Sequence, residues 1–185
     1  MSGERGTHRR LAALLVVAAA CGVVAGWTGS ASAGKGYAAV VSEPVRSPSL
    51  APIGPCPLPS HLRPAFEAAA RDTSLPLSML VAVGKIESNL QTDARSEAGA
   101  RGLLQLMPST AASLQLNIDD PDANVLAGAR YLRQMLDRFS STDLALAAYN
   151  AGPTAVQNAG GPPSRGVQTH VSNVTNLWRS LAGCS

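Results

Sequence analysis

One glutamate, Glu87, stands where a carboxyl group can act as an acid. Leu80, Val83 and Gly84 precede it by seven, four and three residues, the positions that share its face if residues 77–88 form a helix. The carboxyl then lies on an apolar stripe close to a helix C-terminus. Burial and the negative end of the helix dipole both disfavour an anion. Such a setting holds a carboxylic acid neutral and ready to give its proton to a leaving group. The same spacing fits a glutamate that frays outward past the last helical turn, so spacing alone leaves two readings open.

Two further segments carry polar groups in apolar company. Gly99-Ala100-Arg101-Gly102 is too glycine-rich for a helix, and Leu103-Leu104-Gln105-Leu106-Met107-Pro108 follows it. A buried Gln105 needs a partner, whether backbone, side chain or ligand. Ala147-Ala148-Tyr149-Asn150-Ala151-Gly152 places an aromatic ring and an amide beside a sharp turn. Tyr149 and Asn150 suit a sugar-binding surface; equally, Tyr149 suits a core and Asn150 a helix C-cap. No metal or cofactor is expected. His8, His61 and His170 are isolated from other ligand types, and no glycine-rich phosphate loop lies between a strand and a helix.

The elements that must position these residues read as helices. Ser60 is a candidate cap for a helix to about residue 72, and Pro76 opens a second over 77–88. Pro108 starts a short third. Asp120-Pro121 starts a long one, with Val125, Ala129, Leu132, Leu136 and Phe139 at helical spacing. An alanine-rich helix over 141–149 is stopped by Asn150-Ala151-Gly152-Pro153. A last helix spans about 166–181, after Gly160-Gly161-Pro162-Pro163. No stretch alternates with a period of two, so the fold class is mostly α, in a single domain.

Ahead of that domain, residues 1–33 combine Arg5, Arg9 and Arg10, an apolar run over 11–27 and a terminal Ala31-Ser32-Ala33. These are the parts of a secretory signal peptide cut after Ala33, which predicts a secreted, cell-wall location without stable membrane insertion. An uncleaved anchor over 11–27 and a lipoprotein acylated at Cys21 are the alternatives. Residues 34–59 hold six prolines and are expected to be an extended linker, leaving 60–185 as the domain. Cleavage would leave 12 Lys and Arg against 11 Asp and Glu, too balanced to suggest a nucleic-acid partner. It would also leave Cys56 and Cys184. An even pair in an exported chain favours a disulfide over two free thiols.

Four blocks occur in order: Glu-Ser-Asn-Leu at 87–90, S-x-x-G-A-x-G-L-L-Q-L-M-P at 96–108, N-x-x-x-G-x-x-Y-L at 124–132, and A-L-A-A-Y-N-A-G-P at 145–153. Together they resemble the family 1 lytic transglycosylases, whose soluble-lytic-transglycosylase (SLT) domain has a goose-type lysozyme-like fold. The resemblance covers about residues 62–174. It implies a peptidoglycan glycan strand as partner and Glu87 as the single catalytic acid/base. Ser96, Gln105, Met107, Tyr149 and Asn150 match residues that line the family's glycan groove. It also implies cleavage without water, leaving 1,6-anhydro sugar ends. The family's last block, E-T-x-x-Y-V, is replaced here. Gly166, Val167 and His170 stand at its Glu, Thr and Tyr, and His170 is a candidate substrate contact with a ring and a hydrogen-bond donor. A hydrolytic muramidase using Asp93 or Glu97 as a second carboxylate, and an inactive glycan-binding module, are the alternative functions.

Overall fold

The computed structural model describes residues 54–185. The leader and most of the linker lie outside the described residues. Seven helices occur among them: α1 (Arg63–Thr73), α2 (Leu77–Ser88), α3 (Pro108–Leu114), α4 (Pro121–Arg138), α5 (Thr142–Ala151), α6 (Pro153–Ala159) and α7 (Arg165–Ser180). The domain is thus helical, and the remaining backbone pairing is limited to the isolated bridges Arg95–Arg101 and Arg101–Leu106.

Local chemistry explains where most helices begin. Asp120 accepts from Ala123 N at 2.8 Å and Pro121 occupies the first turn of α4, so an orphan donor is satisfied and the missing proline N–H costs nothing. Ser141 caps α5 and Ser164 caps α7 in the same way, each accepting at 3.2 Å. Ser60 caps nothing; α1 begins after Leu62 with Pro64 in its first turn. Pro153 does end α5, but it also opens α6. Gly152, at φ +85°, turns the chain between them, and a proline in a first turn starts a helix as readily as it stops one.

Helix α2 is the axis of the core. Every residue from Ser78 to Gly84 is buried, so over those two turns no solvent-facing side remains. Helix α7 packs against both α2 and α5, α4 against α1 and α5. Ala145, Ala147 and Ala148 are fully buried on α5, small enough to let neighbouring helices approach closely. On α4 the core side is Val125, Ala129, Leu132 and Met135, with Leu136 only partly covered.

The two ends of the domain meet. Cys56 and Cys184 form a disulfide across 128 residues, a loop whose closure is worth about 5 kcal/mol in the chain-entropy view. Cys56 N donates to Ser185 O, Ser185 N donates to Gly54 O, and Arg63 Nη2 donates to Cys56 O at 2.9 Å. Cys56 is 2% exposed and Leu58 packs on the core. Composition places both in the linker, but the folded body takes them in. Among the described residues no helix is long and apolar enough to cross a membrane.

Candidate active site

Glu87 sits in the last turn of α2, just before Asn89 and Leu90 turn the chain at φ +54° and +62°. Its carboxyl faces a cleft of about 420 Å³ lined also by Ser96, Gln105, Met107, Tyr131, Tyr149 and Asn150. The side chain is 11% exposed, and Oε1 is buried without a hydrogen bond. His170 Nε2, on α7, lies 3.3 Å from that oxygen, near enough for an ion pair but misaligned for a hydrogen bond. Because α2 is buried all round from Ser78 to Gly84, the apolar neighbours Leu80, Val83 and Gly84 do not by themselves select the face that opens to the cleft. The surrounding elements do.

The chief of these is the loop of residues 94–106. Ser96 Oγ accepts from Ala100 N at 3.0 Å, closing the glycine-rich turn, and Arg101 and Leu106 exchange two backbone bonds of 2.9 and 3.0 Å. Gln105 adopts φ +44°. Its Nε2 donates to Ala94 O at 3.1 Å and to Gly102 O at 2.9 Å. The partner that a buried glutamine requires is therefore the loop's own backbone.

Three side chains from other elements hold this loop in place. Asn124, fully buried at the start of α4, accepts from Leu104 N at 2.9 Å. Its amide donates to Arg101 O at 2.9 Å and to Ile118 O at 3.1 Å. Ser88 Oγ reaches Leu103 O at 2.8 Å, and Tyr149 donates its phenol to Leu104 O at 2.7 Å. Two glycines allow the approach: a Cβ at Gly102 would overlap the Asn124 amide, and one at Gly128 would overlap the Leu104 side chain. The N-x-x-x-G-x-x-Y-L block thus decomposes into a loop anchor (Asn124), a point of close contact (Gly128), a cleft residue (Tyr131) and a core residue (Leu132).

Burial pushes the Tyr149 phenol well above its ordinary range, and the charges of Glu87 and Tyr131 add in the same direction. Burial likewise raises Tyr131. Their rings meet at 5.3 Å, tilted by 46°. The cleft therefore keeps two neutral phenols beside one carboxyl group.

The structure brings Glu87, Ser96, Gln105, Met107, Tyr149 and Asn150 together around one cleft. Asn150 is exposed inside α5, and Gly152 takes the C-cap. Met107, 41% exposed, lies at the rim as the residue before α3. His170 is placed against Glu87 and is not among the residues lining the cleft. Asp93 and Glu97 are exposed and do not line it either. No cluster of metal-ligating side chains occurs among the described residues. Tyr131, Asn124 and Ser88 escape sequence reasoning as site residues, although each lies within a motif block whose spacing was the available signal.

Comparison with known proteins follows this geometry. The transglycosylase SLT domain family matches residues 64–167, ending three residues before His170. Membrane-bound lytic murein transglycosylase F of Cellvibrio japonicus is 39% identical over 103 residues, covering 51% of this chain and 21% of that protein. The transglycosylase of Enterobacteria phage PRD1 is 41% identical over 86 residues, covering 46% and 32%. The chain thus spans about a fifth to a third of the length of these relatives. Among solved structures, an inactive glutamate-to-glutamine mutant of the lytic transglycosylase Slt from Pseudomonas aeruginosa superposes with a TM-score of 0.56 at 28% identity, covering 66% of this chain and 25% of that one. The 70 kDa soluble lytic transglycosylase of Escherichia coli shares the fold, with a TM-score of 0.57 at 24% identity over 66% of this chain and 24% of that one. With more than half its length matched and all four motif blocks inside the match, the chain belongs to the transglycosylase SLT domain family.

Proposed function

We propose that this protein is a peptidoglycan lytic transglycosylase. It cleaves the β-1,4 bond between N-acetylmuramic acid and N-acetylglucosamine, with Glu87 as its single acid/base. The observation that carries the reading is one carboxyl group, largely withdrawn from water, at a cleft that no second carboxylate lines. Most glycosidases need two carboxyl groups, one as acid and one as nucleophile or base; substrate-assisted enzymes are the exception. The inactive glutamate-to-glutamine mutant of the Pseudomonas aeruginosa relative supports it further.

Glu87 gives its proton to the glycosidic oxygen as that bond breaks. The N-acetyl oxygen of the same muramic acid residue steadies the positive charge developing at the anomeric carbon. The Glu87 carboxylate then takes the proton of the sugar's 6-hydroxyl, whose oxygen closes a 1,6-anhydro ring. Glu87 ends as it began, and no water is consumed. Tyr131 and Tyr149 line the cleft beside Glu87, and Ser96, Met107 and Asn150 line the rest of the groove. Gln105 acts by fixing the loop through its own amide. The leader over residues 1–33 supports export to the cell wall, where glycan strands are the partner.

Mass spectrometry of digested peptidoglycan tests this. Anhydro-ended fragments, one water lighter than hydrolysed ones, are expected from the native chain. Glu87→Gln should lower their release by at least about a thousandfold. A product set made entirely of reducing ends would replace this reading with hydrolysis. Equal digestion by Glu87→Gln would remove Glu87 from its role.

A further inference from the structure

A buried oxygen without a hydrogen bond is uncommon in a folded protein and calls for a physical reason. Here that oxygen is Glu87 Oε1, and the group facing it is His170 Nε2 at 3.3 Å. Both side chains are shielded, 11% and 16% exposed, so charge on either is felt by the other with less screening than at the surface. Helix packing, not a loop, sets the ring's position. It is carried by α7, whose Val171 and Val174 are buried and which packs on α2 and α5.

We propose that His170 is a positioning residue for Glu87. The ring sits against Oε1 and leaves Oε2 to the substrate, so that a charge on the ring bounds activity on the acid side. The inference rests on Glu87 being the acid/base.

The neighbouring charges leave this pairing intact. From α2, Lys85 is exposed. From α5, Tyr149 is neutral and donates to Leu104 O, while Asp143 meets Thr175 further along α7 at 3.4 Å. From α4, Tyr131 stacks on Tyr149, and on α7 itself Arg165 is exposed. Among the described residues, His170 is the cation-forming group within ion-pair range of Glu87.

The protons balance. With the carboxyl protonated and the ring neutral, Glu87 donates its proton to the glycosidic oxygen and recovers one from the 6-hydroxyl; the ring is unchanged. A proton on the imidazole sets a cation beside Oε1. That cation favours the carboxylate and so weakens it as the base of the second half-reaction. It also opposes the positive charge developing on the sugar. Imidazole is the side chain that ordinarily gains its proton nearest neutrality, so the effect of a charge on the ring is read from a pH profile.

The test is the pH profile of anhydro-end release from purified peptidoglycan, measured with the full chain and its His170→Gln, His170→Tyr and Glu87→Gln variants. The native enzyme should give a two-limbed profile. Both His170 variants should lose the acid limb, their optimum moving to lower pH. At neutrality kcat should fall roughly tenfold in His170→Gln and less in His170→Tyr, which restores a ring and a hydroxyl, with KM nearly unchanged in both. A folded variant of either kind that keeps the native acid limb overturns the inference. Should His170→Gln melt at too low a temperature to assay, His170→Tyr decides. A native chain that releases no anhydro ends, or a Glu87→Gln variant as active as the native chain, overturns the reading of Glu87 and this inference with it. Loss of activity in Glu87→Gln beside unchanged profiles in the His170 variants overturns this inference alone.

Discussion

The loop of residues 94–106 and helix α7 both reach the last turn of α2, through adjacent residues. Ser88 ties α2 to the loop, its hydroxyl on Leu103 O at 2.8 Å. Glu87 faces α7, with Oε1 left without a hydrogen bond beside His170. On the loop side the polar contacts are complete: Asn124 makes two bonds to it, at Leu104 N and Arg101 O, and Tyr149 makes a third at Leu104 O. On the α7 side, apolar packing sets the position and one polar contact stays incomplete. A surface that must hold a fixed shape is over-determined by hydrogen bonds. A carboxyl group that must give up and recover a proton cannot be held so tightly in either charge state.

Three changes break or sharpen this contrast. The largest effect should come from the terminal staple. A Cys56→Ser, Cys184→Ser double variant is expected to lose about 4 kcal/mol, read by denaturant unfolding under oxidising conditions. Amide exchange should speed up first along α7, whose far end the disulfide tethers, and least in residues 101–106. Equal loosening of both regions would erase the distinction between them.

Next is Asn124→Ala. It removes the partners of Leu104 N and Ile118 O and one of the two on Arg101 O, which keeps Leu106 N, and should cost about 3 kcal/mol. In this variant the exchange pattern should reverse, with residues 101–106 opening while α7 stays protected. A loss below about 1 kcal/mol would show that the loop is held by its own internal bonds.

The smallest effect expected is that of Tyr149→Phe, about 1–2 kcal/mol near neutral pH. Its pH dependence carries the information. Burial holds the Tyr149 phenol above its ordinary value of 10.0, so the folded state keeps its proton after the unfolded chain begins to lose its own. Stability from this group is therefore complete below about pH 10 and declines as pH rises towards the folded value. The difference between native and Tyr149→Phe proteins should shrink above pH 10. A constant difference would mean that the phenol ionises alike in both states.

Legibility from sequence followed the range of the interactions involved. The start of α4 was readable at Asp120-Pro121 because a cap and its target lie three residues apart; the Ser141 and Ser164 caps of α5 and α7 have the same spacing. Ser60 and Pro153 misled for related reasons. A serine is a cap only when a helix follows it directly, and a proline both closes one helix and opens the next. Gln105 shows the limit in a side chain: its need for a partner if buried was readable, but the partners of this half-buried amide, two carbonyls of its own loop, depend on a φ of +44° that no pattern of residue types announces.

By itself, the order of residues determined the helical class, the position of Glu87 in the last turn of α2, and the motif blocks that place the chain in its family. Tertiary structure alone decided which side of a largely buried helix opens to a cleft, which carbonyls Asn124 and Tyr149 hold, and that His170 meets the carboxyl group rather than the cleft. The physical reason is that periodicity encodes whether a side chain is covered, not by what. Partners 20 or 45 residues away are chosen by how helices pack.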